Sequence, residues 1–522
     1  MVSTQSGERQ IKFGKRPFAG KGNVVCTPHG GRRGGTFVYL GMDVGTSGVR
    51  AVLVNEAGAT VATALRELAL CHPAPLWSEQ DPDAWVDAAI RVVDDLAAAY
   101  PSETARVCGI GFAGQMHGAT LLGADGRPLR PAILWNDGRS HAECDELERR
   151  CPSLHAISGN LAMPGFTAPK LLWVARHEPE VFARVVKVLL PKAFVRYRLT
   201  GEMVEDMSDA AGTLWLDVGL RQWSMTVLQA TGLDLHYMPR LVEGSEVSAV
   251  LSPEFARRWG MARNVVVAGG AGDNAATAIG LGAIAPGDAF LSLGTSGVLF
   301  RVTERFAPAP ASAVHAFCHA LPGVWHQMGV MLSAAGSLAW LARILATPES
   351  ELVARLGETV NRPSSVKFLP YLDGERTPHN DAAAAGAFVG LRGPTGRDDV
   401  VQAVLEGVAF AARDNLDALG SSSSPVVEVD LVGGGSRSVL WAQIIADVLG
   451  IPVHHVEEGE VGAALGAARL GRLAATGADP ADVCTRPRRL ATFAPRASAV
   501  AAYDEAYHQW RKLYPALKEF SR

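Results

Sequence analysis

One five-residue word, Gly-Thr-Ser-Gly-Val, occurs twice in this chain, at residues 45–49 and again at 294–298, 249 residues apart. Each copy lies between two runs of β-forming residues. Residues 37–43 lead into the first copy, and 49–54 lead out of it to a further strand at 59–64 over the turn Asn55-Glu56-Ala57-Gly58. Residues 289–293 lead into the second, whose return strand runs to Val302. An apolar strand, a tight turn of small residues and a return strand make a hairpin. A hairpin that recurs with its flanks predicts two similar halves facing each other across a cleft, joined near Ala285-Pro286-Gly287. Helix-period stretches at 84–99, 398–419, 438–449, 461–473 and 499–513 alternate with strands, and Pro515 is expected to end the last. That alternation predicts an α/β protein with largely parallel sheets.

Composition narrows the function classes. No apolar run reaches the ~18 residues of a membrane span, so no membrane partner is expected. A net charge of −4 is a poor start for a nucleic-acid binder, and none is expected as a partner. Seven cysteines without a C-x-x-C pair read as reduced thiols of a cytoplasmic protein. Residues 1–36 hold seven Lys/Arg against one acid, Glu8, are rich in Gly and show neither period. They read as a disordered basic leader to the folded chain, without the apolar stretch of a secretory signal.

Four glycine-rich turns carry the polar residues of interest. Asp43 ends a buried strand just before Gly45-Thr46-Ser47. A buried carboxylate needs a partner or a cation, and small residues present N–H and hydroxyl donors to an anion. One such turn reads as well as a self-capped Asp turn; two facing copies favour a metal-bound polyphosphate. Gly433-Gly434-Gly435-Ser436-Arg437 follows a strand and opens a helix, either as a close-packed turn or as a place where a nucleotide approaches the main chain. Asp273-Asn274 follow Gly269-Gly270-Ala271-Gly272 at a helix start, where Asp273 is either an N-cap or a base. Gln115-Met116-His117, between Gly114 and Gly118, can bond a polyol or merely build a turn, and Trp135-Asn136-Asp137-Gly138-Arg139 adds the aromatic and polar mixture of sugar sites. No P-loop and no G-x-G-x-x-G fingerprint is present, which argues against a dinucleotide-dependent oxidoreductase.

At these residues the chain resembles the FGGY carbohydrate kinases, over about residues 38–515. Residues 165–177 are similar to the family's first signature, and 386–391 with 399–406 to its second. Residues 114–118, 134–139 and 374–379 are similar to the members that phosphorylate xylulose, whereas glycerol-phosphorylating members would place Arg-Glu at 116–117. The resemblance implies two ribonuclease H-like lobes of the actin/hexokinase/Hsp70 type with a cleft between them. Residues 37–284 would be a sugar-binding lobe and 285–522 a nucleotide-binding lobe. It implies ATP and Mg²⁺ as cofactors, D-xylulose as substrate and a homodimer. Gly45, Thr46, Ser47, Gly294, Thr295 and Ser296 would hold the ATP phosphates, with Gly434 and Gly435 against the adenosine and Asp43 at the metal. Met116, His117, Asp273 and Asn274 would line the ketose pocket, with Asp273 as general base. The alternatives are a kinase for ribulose, gluconate or glycerol, and a sugar sensor or ATPase on the same fold, which would lack a base in the cleft.

Overall fold

Val38–Val44 (β1) is an almost unbroken apolar run, buried along its length as a strand covered on both faces must be. It turns through Gly45-Thr46-Ser47 into Gly48–Asn55 (β2), which pairs antiparallel with β1 and with Thr60–Glu67 (β3). After helix Pro82–Ala99 (α1), Val107–Gly114 (β4) lies parallel to β1 on its other side. Val247–Val250 (β5) and Val266–Ala268 (β6) complete a sheet of order β5-β6-β4-β1-β2-β3, with β6 parallel to β4 and β5 antiparallel at the edge. The computed structural model describes residues 37–421, 423–457 and 462–521. The basic stretch 1–36 and Val461 lie outside these.

The second half repeats the plan. Ala289–Leu293 (β7) turns through Gly294-Thr295-Ser296 into antiparallel Gly297–Thr303 (β8). His315–Cys318 (β9) pairs with Trp325–Met331 (β10), which pairs antiparallel with β8. Val429–Val432 (β11) is parallel to β7, Val453–Val456 (β12) is parallel to β11, and Arg489–Phe493 (β13) closes the edge antiparallel. Strands β3, β2, β1, β4, β6 and β5 thus match β10, β8, β7, β11, β12 and β13 in order and direction. This is the expected two-lobe α/β architecture. Among the described residues no helix is long and apolar enough to cross a membrane.

Helices Thr167–His177 (α2), Asp273–Leu281 (α3), Arg397–Ala418 (α4), Val439–Leu449 (α5), Gly462–Thr476 (α6) and Ala497–Trp510 (α7) flank the sheets. Pro515 does not end α7, which stops at Trp510 before it. It sits third in a separate short helix, Leu513–Leu517, where a missing N–H has no helical acceptor to lose. Although α6 follows β12, it lies across β1 and β4 of the first sheet and against α3. Main chains meet there: a Cβ on Gly111 would stand 1.8 Å from the Ala467 carbonyl oxygen, and one on Gly466 1.8 Å from that of Ala276. A shared apolar core containing Met116, Phe166, Phe317 and Val432 also joins the halves, beside the ends of β4 and β11.

Candidate active site

Asp43 lies near the end of β1, facing Arg50 across the β1–β2 pair. It borders a cavity of about 290 Å³ walled by Arg50 and Thr277 from the first half and by Ser292, Gly433, Gly434 and Arg437 from the second. A cavity of about 490 Å³ continues from Asp43 and Arg50 along Gly45 and Ser47. A third, of about 970 Å³, shares Gly434 and Arg437 with the first and runs between Gly294-Thr295, Gly435 and the start of α5. The two repeated turns therefore border one continuous crevice. Asp43 Oδ1 is buried there without a hydrogen-bond partner. Burial, then the charge of Asp273, push this carboxyl up to about 7, against the pull of Arg50. An orphaned carboxylate oxygen beside space for phosphates fits a hard divalent cation.

Asp273 is the first residue of α3, whose N-cap is Gly272, so it is not the cap. Its Oδ1 accepts from the Asn274 N–H at 2.7 Å and from Asn274 Nδ2 at 3.0 Å. Burial nevertheless pushes it up to about 6, outweighing both hydrogen bonds. One turn on, Thr277 donates its hydroxyl to the Asp273 carbonyl at 2.9 Å and borders the crevice. From the other side, Ser208 Oγ accepts the Gly272 N–H at 3.1 Å, and Asp206 takes the Ser208 hydroxyl at 2.5 Å.

Met116 packs against Gly212 and Gly272, so it reaches the start of α3. His117 has φ +70° and its Nδ1 is 2.6 Å from the Gly212 carbonyl oxygen, which places the proton on Nδ1 and leaves Nε2 an acceptor. Burial holds this imidazole down at about 3, hence neutral. Its carbonyl accepts from Thr167 Oγ1 at 3.1 Å and Lys170 Nζ at 2.9 Å, both on α2 within the first signature-like stretch. Lys170 also donates to the Gly165 carbonyl at 2.7 Å. Met116, His117, Asp273 and Asn274 are thus gathered around the start of α3.

Other residues lie differently from expectation. The Thr46 hydroxyl donates to Gln115 Oε1 at 2.9 Å and accepts from Trp135 Nε1 at 2.9 Å, and the Gly45 N–H closes the turn on the Gly48 carbonyl at 3.0 Å. These donors brace the turn, and Ser47, exposed at its tip, borders the second cavity. Ser296 borders none of the three cavities, whereas Gly294 and Thr295 border the third. Within 135–139 the charged pair is a brace, with Asp137 taking the Ser78 N–H at 2.6 Å and Arg139 pairing with Asp137 and Glu79 while lying 3.7 Å over the Trp77 ring, whereas Trp135 is half-buried and Asn136 exposed. Paired charges there satisfy each other and leave little for a sugar. The glycines after β11 do not open α5 directly: a 3₁₀ turn, Gly434–Arg437, intervenes and Ser438 caps the helix. Gly434 faces open space while Gly435 packs on Leu293.

Three polar side chains of the crevice, Arg50, Thr277 and Arg437, had no role in the sequence reading. Arg50 stands three residues beyond Ser47, on the alternating strand face that a β2 register would have shown. A buried trio, Glu205, Asp206 and Asp209, is close enough to share a cation, but Lys192 Nζ already occupies that place at 2.6, 2.5 and 2.9 Å.

Residues 38–280 match the model of the FGGY family of carbohydrate kinases, N-terminal domain, and residues 289–475 match that of its C-terminal domain. The chain belongs to the FGGY family of carbohydrate kinases. This FGGY kinase is 49% identical to the xylulose kinase of Escherichia coli (strain K12) over 482 residues, covering 92% of this chain and 99% of that one. It superposes on the crystal structure of a xyloylose kinase from Brucella ovis with a TM-score of 0.90 at 55% identity, covering 92% and 100% of the two chains. The xylulose kinase of Rhodospirillum rubrum gives a TM-score of 0.84 at 30% identity, covering 93% and 99%.

Proposed function

We propose that this FGGY kinase transfers the γ-phosphoryl group of ATP to the C5 hydroxyl of D-xylulose, giving D-xylulose 5-phosphate and ADP. The observation that carries the reading is the crevice itself, bordered by two matching turns and by Asp43, which lies close enough to Asp273 to be raised by its charge. Similarity to xylulose kinases supports the choice of sugar. The first half, residues 37–284, would hold the ketose through Met116, His117 and Asn274, and the second half, 285–522, would hold the nucleotide along Gly294, Thr295, Gly434 and Gly435. Asp43 is the residue that would hold Mg²⁺, which when bound supplies positive charge to the phosphates.

Asp273 acts as the general base. Its carboxylate takes the hydroxyl proton as the C5 oxygen forms its bond to the γ-phosphorus, and the bond to the β–γ bridging oxygen breaks to release ADP. Arg50 and Arg437, bordering the crevice, offset charge on the phosphoryl oxygens. His117 accepts a sugar hydroxyl at Nε2. Closing the crevice matters because water competes with the sugar as acceptor. A coupled assay of ADP release over pentuloses, gluconate and glycerol tests the reading. D-xylulose is expected to give the highest kcat/KM; sugar-independent hydrolysis or faster turnover of another acceptor would replace it.

A further inference from the structure

Arg376 belongs to residues 374–379, which the chemistry above leaves without a task. The residues on either side of it are clamped. Thr377 donates its N–H to the Val330 carbonyl at 3.0 Å, and its hydroxyl donates to the Ala313 carbonyl at 2.9 Å while accepting the Val330 N–H at 3.0 Å. Glu375 and Asp381 exchange backbone hydrogen bonds of 2.9 and 2.8 Å. The Arg376 backbone is therefore fixed before any ligand arrives.

Its half-buried guanidinium forms no ion pair among the described residues. Adjacent Glu375 and Arg376 feel each other's charge, but they make no close ion pair: Glu375 Oε1 takes the N–H groups of Leu332 at 3.0 Å and Arg376 at 2.7 Å, and burial pushes the carboxyl up to about 8. The guanidinium instead meets His315 Nε2, 3.5 Å from Nη1. His315 Nδ1 lies 2.9 Å from Asn160 Oδ1, so the proton sits on Nδ1 and the Nε2 lone pair faces Arg376. Asn160 and His315 thus aim the guanidinium and occupy only one of its N–H groups, at long range.

The His315 ring leads back to the sugar residues. It stacks on Phe317 with centroids 5.5 Å apart and meets Phe166 at 5.4 Å, and Phe166 meets His117 at 4.7 Å. Burial and then, among other charges, that of Arg376 keep both imidazoles neutral. The remaining donors of this fixed cation are not among the buried unpartnered atoms, so beside a neutral aromatic wall they are open to an acceptor that a ligand supplies.

We infer that Arg376, carried by the second half, binds the sugar, its guanidinium donating to the carbonyl end of a bound 2-ketose while the far hydroxyl faces Asp273. This rests on the ketose reading above. It makes the sugar site complete only when both halves contribute, and it makes Asn160 and His315 positioning residues.

The test is steady-state ADP release by the full chain with D-xylulose and ATP varied separately. Arg376→Ala is expected to raise the ketose KM about ten- to hundredfold, the range of a charged hydrogen bond to substrate, with the ATP KM within about twofold of wild type. Arg376→Lys should recover part of the loss, and Asn160→Ala should shift the ketose KM less and in the same direction. Should Arg376→Ala not fold, Arg376→Lys and Asn160→Ala carry the comparison. A ketose KM unchanged within about twofold, or an ATP KM rising in step with it, overturns the inference while leaving the ketose reading standing. A wild-type protein that uses no ketose, or prefers a sugar acid, overturns that reading and this inference with it.

Discussion

Two carboxylates close enough for the charge of one to raise the other are proposed to do different work, and their surroundings differ. Asp273 is drawn to about 6 by burial, and it is a base only when ionised. Turnover on ketose should therefore be present above about pH 6 and fall as the pH drops through it, approaching tenfold per unit. A profile of kcat/KM against pH checks this, and a flat profile down to pH 5 contradicts it. Asp43, raised to about 7, binds a proton in competition with a divalent cation. Apparent Mg²⁺ affinity should rise as the pH goes up to about 7 and level off above it, with Asp43→Asn weakening binding and flattening the curve. Titration of Mg²⁺ into the nucleotide-bound protein at several pH values reads this directly. His117 has a single free ring acceptor. His117→Ala should raise the ketose KM more than the ATP KM, and equal effects would remove it from the sugar site.

The elements set these distances through close main-chain contact. With Ala467 O where a Gly111 Cβ would stand, Gly111→Ala must push α6 off β4 and should cost about 2–3 kcal/mol. Gly393→Ala, in open space, should cost little. Denaturant melts of the two variants separate these outcomes. The two hairpins and the helices at 84–99, 398–419 and 438–449 were readable from period and turn residues, because those signals are local. That α6 crosses to the first sheet was not: its glycines look like any helix glycines until the partner strand is known. The same holds at the site. The matching turns and Asp43 were visible as text, but nothing local shows that Thr46 spends its hydroxyl on Gln115 and Trp135. Nor does it show that Asp137 and Arg139 are consumed by Ser78, Glu79 and each other. Asp273 looked like a cap because caps and first-turn residues differ by one position, which only φ and ψ decide.

At the scale of the molecule, one strand plan used twice places two like turns around one crevice, and α3 packed on α6 joins the halves. The shared core contains Met116 and Val432 from the two halves, so on the proposed reading a change in how the halves meet is felt at the proposed ketose site. On the proposed reading neither half holds both reactants' contacts: Asp273 and His117 come from the first, and the third cavity and Arg376 from the second. The most direct test of this arrangement is ADP release by the wild type and by Asp273→Ala, each with and without D-xylulose. Release should depend on the sugar in the wild type and fall by ~10²–10⁴-fold in the variant with the ATP KM preserved. Near-normal turnover by Asp273→Ala, or wild-type release indifferent to the sugar, would contradict it.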